Sequence, residues 1–437
     1  MAALPEELLQ QVFSQQPVSS DLSTMANISL ANRTCYRVVK PHLYHTLSLG
    51  HCSQTRRRRD LLQTLLQNPD TGTLVRSFYV EGWEMEPTFL LPEVWRPEPM
   101  PHDLMSDALV AVDGAGLPIS LRDPFRLQLA GGVEDAPDAE IALLLLLIPN
   151  MRFLAISLVY YMQESLFMCM IQHRPLHQLS EVNVEHWDTE DSSSMDGLVA
   201  LLQLPALDTF RGRAIDCNAE SSTLLAPVHS TLKRVFLYMS LLDDGGLQNL
   251  LLACPDLETL SVHWGPETIG ETSIDYSAIG QALREHGHKL KSLHLTPEDV
   301  DFPEDMDINS PLGSLTELTA LRFLDVTYHA LCAAKDTSPD HLRRILPHSL
   351  RTLRIDAKDA SSGEDDKEAD ETNHFDLQLL EIMRDEHFGD LSTITVERGG
   401  TFTLSEEAKA AGWNDDESGE SGSVLKRQGR QDGDRTG

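Results

Sequence analysis

The chain has 437 residues, of which 41% are hydrophobic and 24% charged, enough apolar material for one large repeat array or two to three ordinary domains. Asp and Glu number 68 against 35 Lys and Arg, a formal net charge of -33. An average this negative repels phosphate backbones, which argues against nucleic acid as a partner.

The opening MAALPEELLQQVF has two early acids and no basic stretch ahead of its apolar residues, so it does not read as a signal peptide. Its spacing predicts a helix from Leu4 to about Gln16: Leu4, Leu8 and Val12 form one stripe, with Leu9 and Phe13 beside it. Pro5 suits a first turn, and Glu6 and Glu7 suit the positive helix start. Pro17, Ser19 and Ser20 break the pattern, and Asp21 can cap a second helix at roughly 22–31. A third is expected at 32–40, ending before Pro41, and then Leu47 and Leu49 alternate as in a strand. Three short helices carry more apolar stripe than they bury alone, so the surplus needs the next domain or a partner. The run Arg56, Arg57, Arg58 and Arg59 reads as a solvated loop, with a nuclear import signal as the alternative.

From there an apolar-x-x-apolar-x-apolar string recurs. It reads Val75-Phe78-Val80, Met151-Leu154-Ile156, Leu179-Val182-Val184, Leu232-Val235-Leu237 and Leu257-Leu260-Val262. It continues as Leu290-Leu293-Leu295, Leu321-Leu324-Val326, Leu350-Leu353-Ile355 and Leu391-Ile394-Val396. Leu207 and Phe210, followed by Gly212, make a weaker copy. From 151 to 350 the starts step by 28, 28, 25, 25, 33, 31 and 29, close to a leucine-rich-repeat period. The last two apolar residues of each string share one strand face, and helical patterns such as Leu247-Leu250-Leu251 lie between strings. Each repeat is then a helix plus a strand that buries its apolar face only against its neighbours. The implied class is α/β, an irregular leucine-rich-repeat solenoid over 50–412. Residues 82–140 read as an insertion, a Pro- and Glu-rich loop at 87–101 with room for one degenerate repeat around Leu121 to Leu129 after it; 358–373 read as an acidic disordered loop, and 413–437 as a disordered tail.

No HExxH, GxSxG, P-loop or dinucleotide fingerprint is present. The 17 histidines and six cysteines fall at no metal-ligand spacing, so neither a metal nor a cofactor is expected. The scattered cysteines suit a reducing compartment. The longest apolar run, 141–148, is far below a bilayer span, so the expectation is a soluble, non-enzymatic protein of the cytoplasm or nucleus. Candidate binding residues are those alternating with the core along each strand: Tyr79, Arg211, Arg213, Arg234 and Phe236, then Tyr238, His263, His294, Phe323 and Arg354. Aromatics and arginine are the types enriched at interface hot spots, and the arginines suit an acidic or phosphorylated segment. Trp83, Trp187 and Trp264 are placed on one rim of that surface.

Residues 4–49 resemble an F-box of the fungal type. The match lies in LPEELLQQVF and in DLSTMANISLANRTCYRVVKPHLYHTLSL, with Leu4-Pro5, Leu8-Leu9, Val12-Phe13, Asp21-Leu22, Leu30, Asn32-Arg33 and Tyr36 at family positions. Cys35-Tyr36 stands where many members carry tryptophan. The resemblance implies a short three-helix domain at 1–49 that docks on a Skp-type adaptor of a cullin-RING ubiquitin ligase. The repeats would hold a protein substrate, and catalysis would belong to other subunits. It makes Leu4, Pro5, Leu8, Leu9, Val12, Phe13, Leu22 and Leu30 the adaptor-side residues. The rival reading is a repeat scaffold whose first helices only cap the solenoid, since a bare first repeat exposes its core. A cap would bury Leu8, Leu9, Val12 and Phe13, whereas an F-box would leave an apolar patch exposed; an enzyme would instead show a deep polar pocket.

Overall fold

The structure is a computed structural model that describes residues 22–49, 55–80, 100–130, 136–158, 165–173, 176–186, 191–225, 230–265, 274–297, 310–333, 338–357, 368–397, 405–416 and 422–428. The helix expected at 4–16 lies outside them, as do Trp83 and Trp187. The chain divides into two compact units, residues 1–188 with 197–211, and 189–196 with 212–437.

In the first unit, α1 (Leu22–Ser29) and α2 (Arg33–Leu43) close a small core of Met25, Val38 and Val39, with Ile28 and Leu43 against it. Asn32 caps α2, its Oδ1 accepting from the Cys35 N–H at 2.8 Å. Pro41 lies inside α2 rather than beyond it: the ring withholds one N–H, but burial of Val38 and Val39 carries the helix on to Leu43. β1 (Thr46–Leu49) follows, then α3 (Thr55–Gln67), α4 (Pro69–Gly72) and β2 (Ser77–Val80). Next come α5 (His102–Gly114), α6 (Ile119–Leu129), α7 (Ala136–Leu147), β3 (Phe153–Leu158), α8 (Leu166–His173) and β4 (Glu181–His186). β1 to β4 pair in parallel order, with Leu47 opposite Phe78, Phe78 opposite Leu154 and Leu154 opposite Val182. α9 (Val199–Leu202) leads to β6 (Thr209–Arg213), whose first N–H groups reach the Ser180 carbonyl.

Residues 81–99, most of the expected Pro- and Glu-rich loop, lie outside the described set, and the described part of 82–140 is helical. Leu104, Ala108 and Val112 repeat every four residues on α5, as do Leu121, Phe125 and Leu129 on α6, and all six are buried. One further expectation fails in this unit: the arginine run is not a solvated loop. It is the first half of α3, where Arg58 and Arg59 pair with Glu140 of α7, which is fully buried; the Arg59 Nε to Oε1 distance is 2.9 Å. A buried carboxylate some 80 residues away gives those two cations a partner that the local sequence does not reveal.

In the second unit, β5 (Ser193–Ser194) pairs with β7 (Ile215–Asp216). A parallel ladder then runs through β8 (Arg234–Ser240), β9 (Thr259–Trp264), β10 (Ser292–Pro297), β11 (Phe323–Thr327), β12 (Thr352–Asp356) and β13 (Thr393–Glu397). Between the strands lie α10 (Asp244–Ala253), α11 (Tyr276–His286), α12 (Tyr328–Leu331), α13 (His341–Ile345) and α14 (Glu368–Arg384). Val235, Leu260, Leu293, Leu324, Leu353 and Ile394 occupy one register, so equivalent string positions stack rung on rung. Every member of the nine strings is buried.

A repeated backbone bond fixes the step between rungs: the carbonyl of each string's second residue accepts two N–H groups from the next repeat. Lys291 O, for example, takes Arg322 N at 2.8 Å and Phe323 N at 3.0 Å. Close helix approach sets the layer behind. A Cβ on Gly280 of α11 would sit 1.9 Å from the Leu312 carbonyl oxygen, so only glycine fits there.

The expected acidic disordered loop at 358–373 ends in helix, since α14 begins at Glu368; residues 358–367 lie outside the described set. Nor is 413–437 wholly a tail. After α15 (Ser405–Ala410), β14 (Trp413–Asp416) and β15 (Gly422–Arg427) add two antiparallel strands to β13. Trp413 is 1% exposed and lies beneath the Arg427 guanidinium at 5.6 Å, so one tryptophan and Leu425 supply the apolar anchor for a polar stretch.

Candidate binding surface

Because side chains alternate along a strand, the residues between the buried string positions all leave the opposite face of the ladder. In the first unit that face carries Tyr79, half-buried with its ring 5.1 Å from Phe153, and Arg211, whose Nε donates to Glu181 Oε1 at 2.9 Å. The other eight candidates belong to the second unit.

There, Arg213, Arg234 and Tyr238 are exposed and Phe236 is half-buried. Arg213 donates to the Met239 sulfur at 3.5 Å, beside a bulge in β8 where Met239 adopts φ 46°. Tyr238 is 5.6 Å from the His263 ring, and His263 Nδ1 is 2.9 Å from Thr296 Oγ1. His294 stacks on Phe323 at 4.5 Å; its Nε2 is 3.1 Å from Ser292 Oγ and its Nδ1 3.4 Å from Asp325 Oδ2. Asp325 is 5% exposed and also faces Arg354 Nη1 at 3.6 Å, while Arg354 pairs through Nη2 with Glu397. Burial works against the charged Arg354 guanidinium, but the Glu397 hydrogen bond and the nearby Asp325, Glu397 and Asp356 carboxylates prevail and raise its pKa. Five of the eight candidates are thus knitted into one band across β8 to β13, which also takes in Ser292, Thr296, Asp325 and Glu397. No feature of the string marks the acids, because Asp325 and Glu397 occupy the same alternating positions as the aromatics.

Trp264 is not on a rim. It is 2% exposed, donates to the Leu242 carbonyl at 2.8 Å and meets Tyr276 edge-on at 6.3 Å, so it is core. Burial pushes the Tyr276 hydroxyl up to about 12, against the opposing effect of its contact with Thr327. Asp243 does what its sequence suggests: as N-cap of α10 its Oδ1 accepts from Gly246 N at 2.7 Å and from Ala219 N at 2.9 Å.

Of the adaptor-side set, Leu4, Pro5, Leu8, Leu9, Val12 and Phe13 lie outside the described residues. Leu22 and Leu30 are 50% and 83% exposed, and neighbouring Tyr36 is 47% exposed. His45, at the entry to β1, has its pKa lowered by burial and then by Arg76, His42 and Arg152. No group of three or more His, Cys, Asp or Glu is placed to hold a metal among the described residues, and no described helix is long and apolar enough to cross a membrane.

Parallel strands in register, alternating with helices in most repeats and built on one recurring apolar string, define a leucine-rich-repeat-like α/β architecture. No family model and no curated protein matches the chain. Among solved structures it is similar to TLR13 in its ssRNA13 complex, at 16% identity and TM-score 0.33, over 59% of this chain and 31% of that one. The chain therefore spans about a third of that relative's length. It is also similar to a chain of the Rad7 and Elc1 complex in yeast, at 13% identity and TM-score 0.34, over 81% of this chain and 86% of that one. Neither likeness is close, and the repeat class rests on the ladders themselves.

Proposed function

We propose that this chain is a substrate-recognition subunit of a cullin-RING ubiquitin ligase of the SCF type. In this reading the F-box-like N-terminus docks on a Skp-type adaptor, and the strand face holds a protein substrate. The observation that carries it is the exposure of Leu22, at the start of α1, and of Leu30, in the turn between α1 and α2, beside a core that the two helices already close with Met25, Val38 and Val39. Apolar side chains left outside a satisfied core are what a docking helix pair needs. The chain's contribution is proximity and orientation, with bond making left to other subunits. The Ser292–His294–Asp325 order mimics a nucleophile, base and orienting acid, with the Ser292 backbone N–H committed to the Glu258 carbonyl at 3.1 Å and so not free to serve as an oxyanion donor.

The second reading is a repeat scaffold with an N-terminal cap. It is favoured by β1 pairing directly with β2, which makes the N-terminal segment the first rung of the ladder. A pull-down with a Skp-type adaptor separates the two. Wild type is expected to bind, while Leu22→Asp/Leu30→Asp and Leu8→Asp/Phe13→Asp lose binding with the circular dichroism of wild type. A folded wild type that does not bind leaves the scaffold reading.

A further inference from the structure

The second position of the ten strings is basic in six: Arg76, Arg152, Lys233, Lys291, Arg322 and Arg351. Lys and Arg make up only 35 of 437 residues, so composition does not account for this. Structural roles explain part of it. Arg76 Nη1 donates to the Thr73 carbonyl at 2.7 Å, and Lys291 Nζ pairs with Glu258 at 2.8 Å. Arg322 and Arg351 have no such role. Both are exposed, and neither side chain bonds to any described residue, in a chain with 68 acids to choose from.

They are also adjacent. Arg351 N–H donates to Arg322 O and Arg322 N–H to Lys291 O, each at 2.8 Å, so three cations stand at the starts of successive strands. Strand spacing puts neighbours about 4.8 Å apart; Lys291 already has Glu258, but Arg322 and Arg351 are close enough to repel one another unless an anion intervenes. Two of the strand-face arginines differ, because Arg211 and Arg354 already have carboxylate partners.

We propose that the Lys291–Arg322–Arg351 row binds a short acidic segment of a partner protein lying across the strand starts, with half-buried Phe323 as its apolar shelf. An extended segment rises about 3.3 Å per residue, so about three of its residues cover a row roughly 10 Å long. A long polyanion such as nucleic acid is disfavoured by the net charge of -33, which a few localised carboxylates feel far less. The inference rests on the second unit being a substrate-binding body and assigns the partner's chemistry to its edge.

The test is fluorescence anisotropy of fluorescein-labelled deca-glutamate on the full chain. Arg322→Glu/Arg351→Glu is expected to weaken binding about tenfold. Arg56→Glu/Arg57→Glu, an equal charge change at exposed positions of α3, is expected to leave it unchanged. Arg322→Gln/Arg351→Gln should fall between, with a wild-type melting curve. Equal weakening by both reversals, no deca-glutamate binding by wild type, or tighter binding of a single-stranded DNA decamer would each overturn the proposal. Adaptor pull-down of the same variants keeps the readings apart: adaptor held with deca-glutamate binding unaffected sinks this inference alone.

Discussion

Glu140 offers the sharpest test of how the first unit is held. Its carboxylate is 1% exposed and takes both Arg58, 4% exposed, and Arg59, 11% exposed. Removing one partner of a buried ion pair typically costs about 3–5 kcal/mol, because the remaining charge keeps its desolvation penalty. Arg59 retains some access to water, so Glu140→Leu is placed at the lower end, about 3 kcal/mol. For a unit of roughly 200 residues that corresponds to a melting temperature lower by about 6–12 °C. Differential scanning calorimetry or urea unfolding followed by circular dichroism reads it. Replacing the inner pair together, Arg58→Met/Glu140→Leu, should recover much of the loss, since an apolar pair of similar volume removes a buried charge on each side. The reasoning is wrong if Glu140→Leu costs under about 1 kcal/mol, or if the double variant is no more stable than the single one.

Gly280→Ala should destabilise the second unit by about 1–3 kcal/mol, since its Cβ would land 1.9 Å from the Leu312 carbonyl oxygen. Gly114→Ala at the end of α5, where a Cβ meets nothing within 4 Å, should instead stabilise by about 0.5 kcal/mol; paired thermal melts check both signs. Asp385 is opposed by burial but bonded by the His387 N–H and ring and by Arg343, and its pKa lies lowered to about 2. A depressed carboxyl contributes stability that is complete above its unfolded value of 3.8 and is lost as pH falls towards 2, so Asp385→Asn should flatten the acid limb of a stability profile in that window. Burial pushes the Cys254 thiol up to about 12 and raises that of Cys217 as well, so a disulfide reagent at pH 8 should modify half-buried Cys35 and Cys169 first. Cys217 and Cys254 should react only on unfolding, counted by mass spectrometry.

The ladder was legible because its signal is local and repeated. Leu293 and Leu295 need only alternate to be placed on one face, and eight further strings say the same. What escaped the sequence depends on distant partners. Arg58 looks solvent-bound until Glu140 is seen beside it, and Trp264 looks like a rim residue until the Leu242 carbonyl receives its indole N–H. The strands at 413–416 and 422–427 are polar by composition, and only pairing gives them a place, the second with β13 and the first with the second. The helices of 102–129 are a different case. Their four-residue spacing is plain in Leu104-Ala108-Val112, but the Pro- and Glu-rich stretch just before them masks it, and only Leu121 to Leu129 stands out as a further repeat.

The same distinction orders the candidate surface. Alternation picks out which residues leave the strand face, and the structure keeps all eight of the second unit's candidates there. It does not reveal which are already neutralised. Arg354 reads as a phosphate-seeking cation in sequence, yet Asp325 and Glu397 occupy it, because the register sets Arg354 directly opposite Asp325, position five against position five, and Glu397 reaches it from position seven of the next repeat. Arg322 and Arg351, one residue outside the alternating set, keep their charge uncompensated among the described residues. Neutralisation is thus decided by which rung lies next door, and that is a matter of register between repeats that no single repeat's sequence carries.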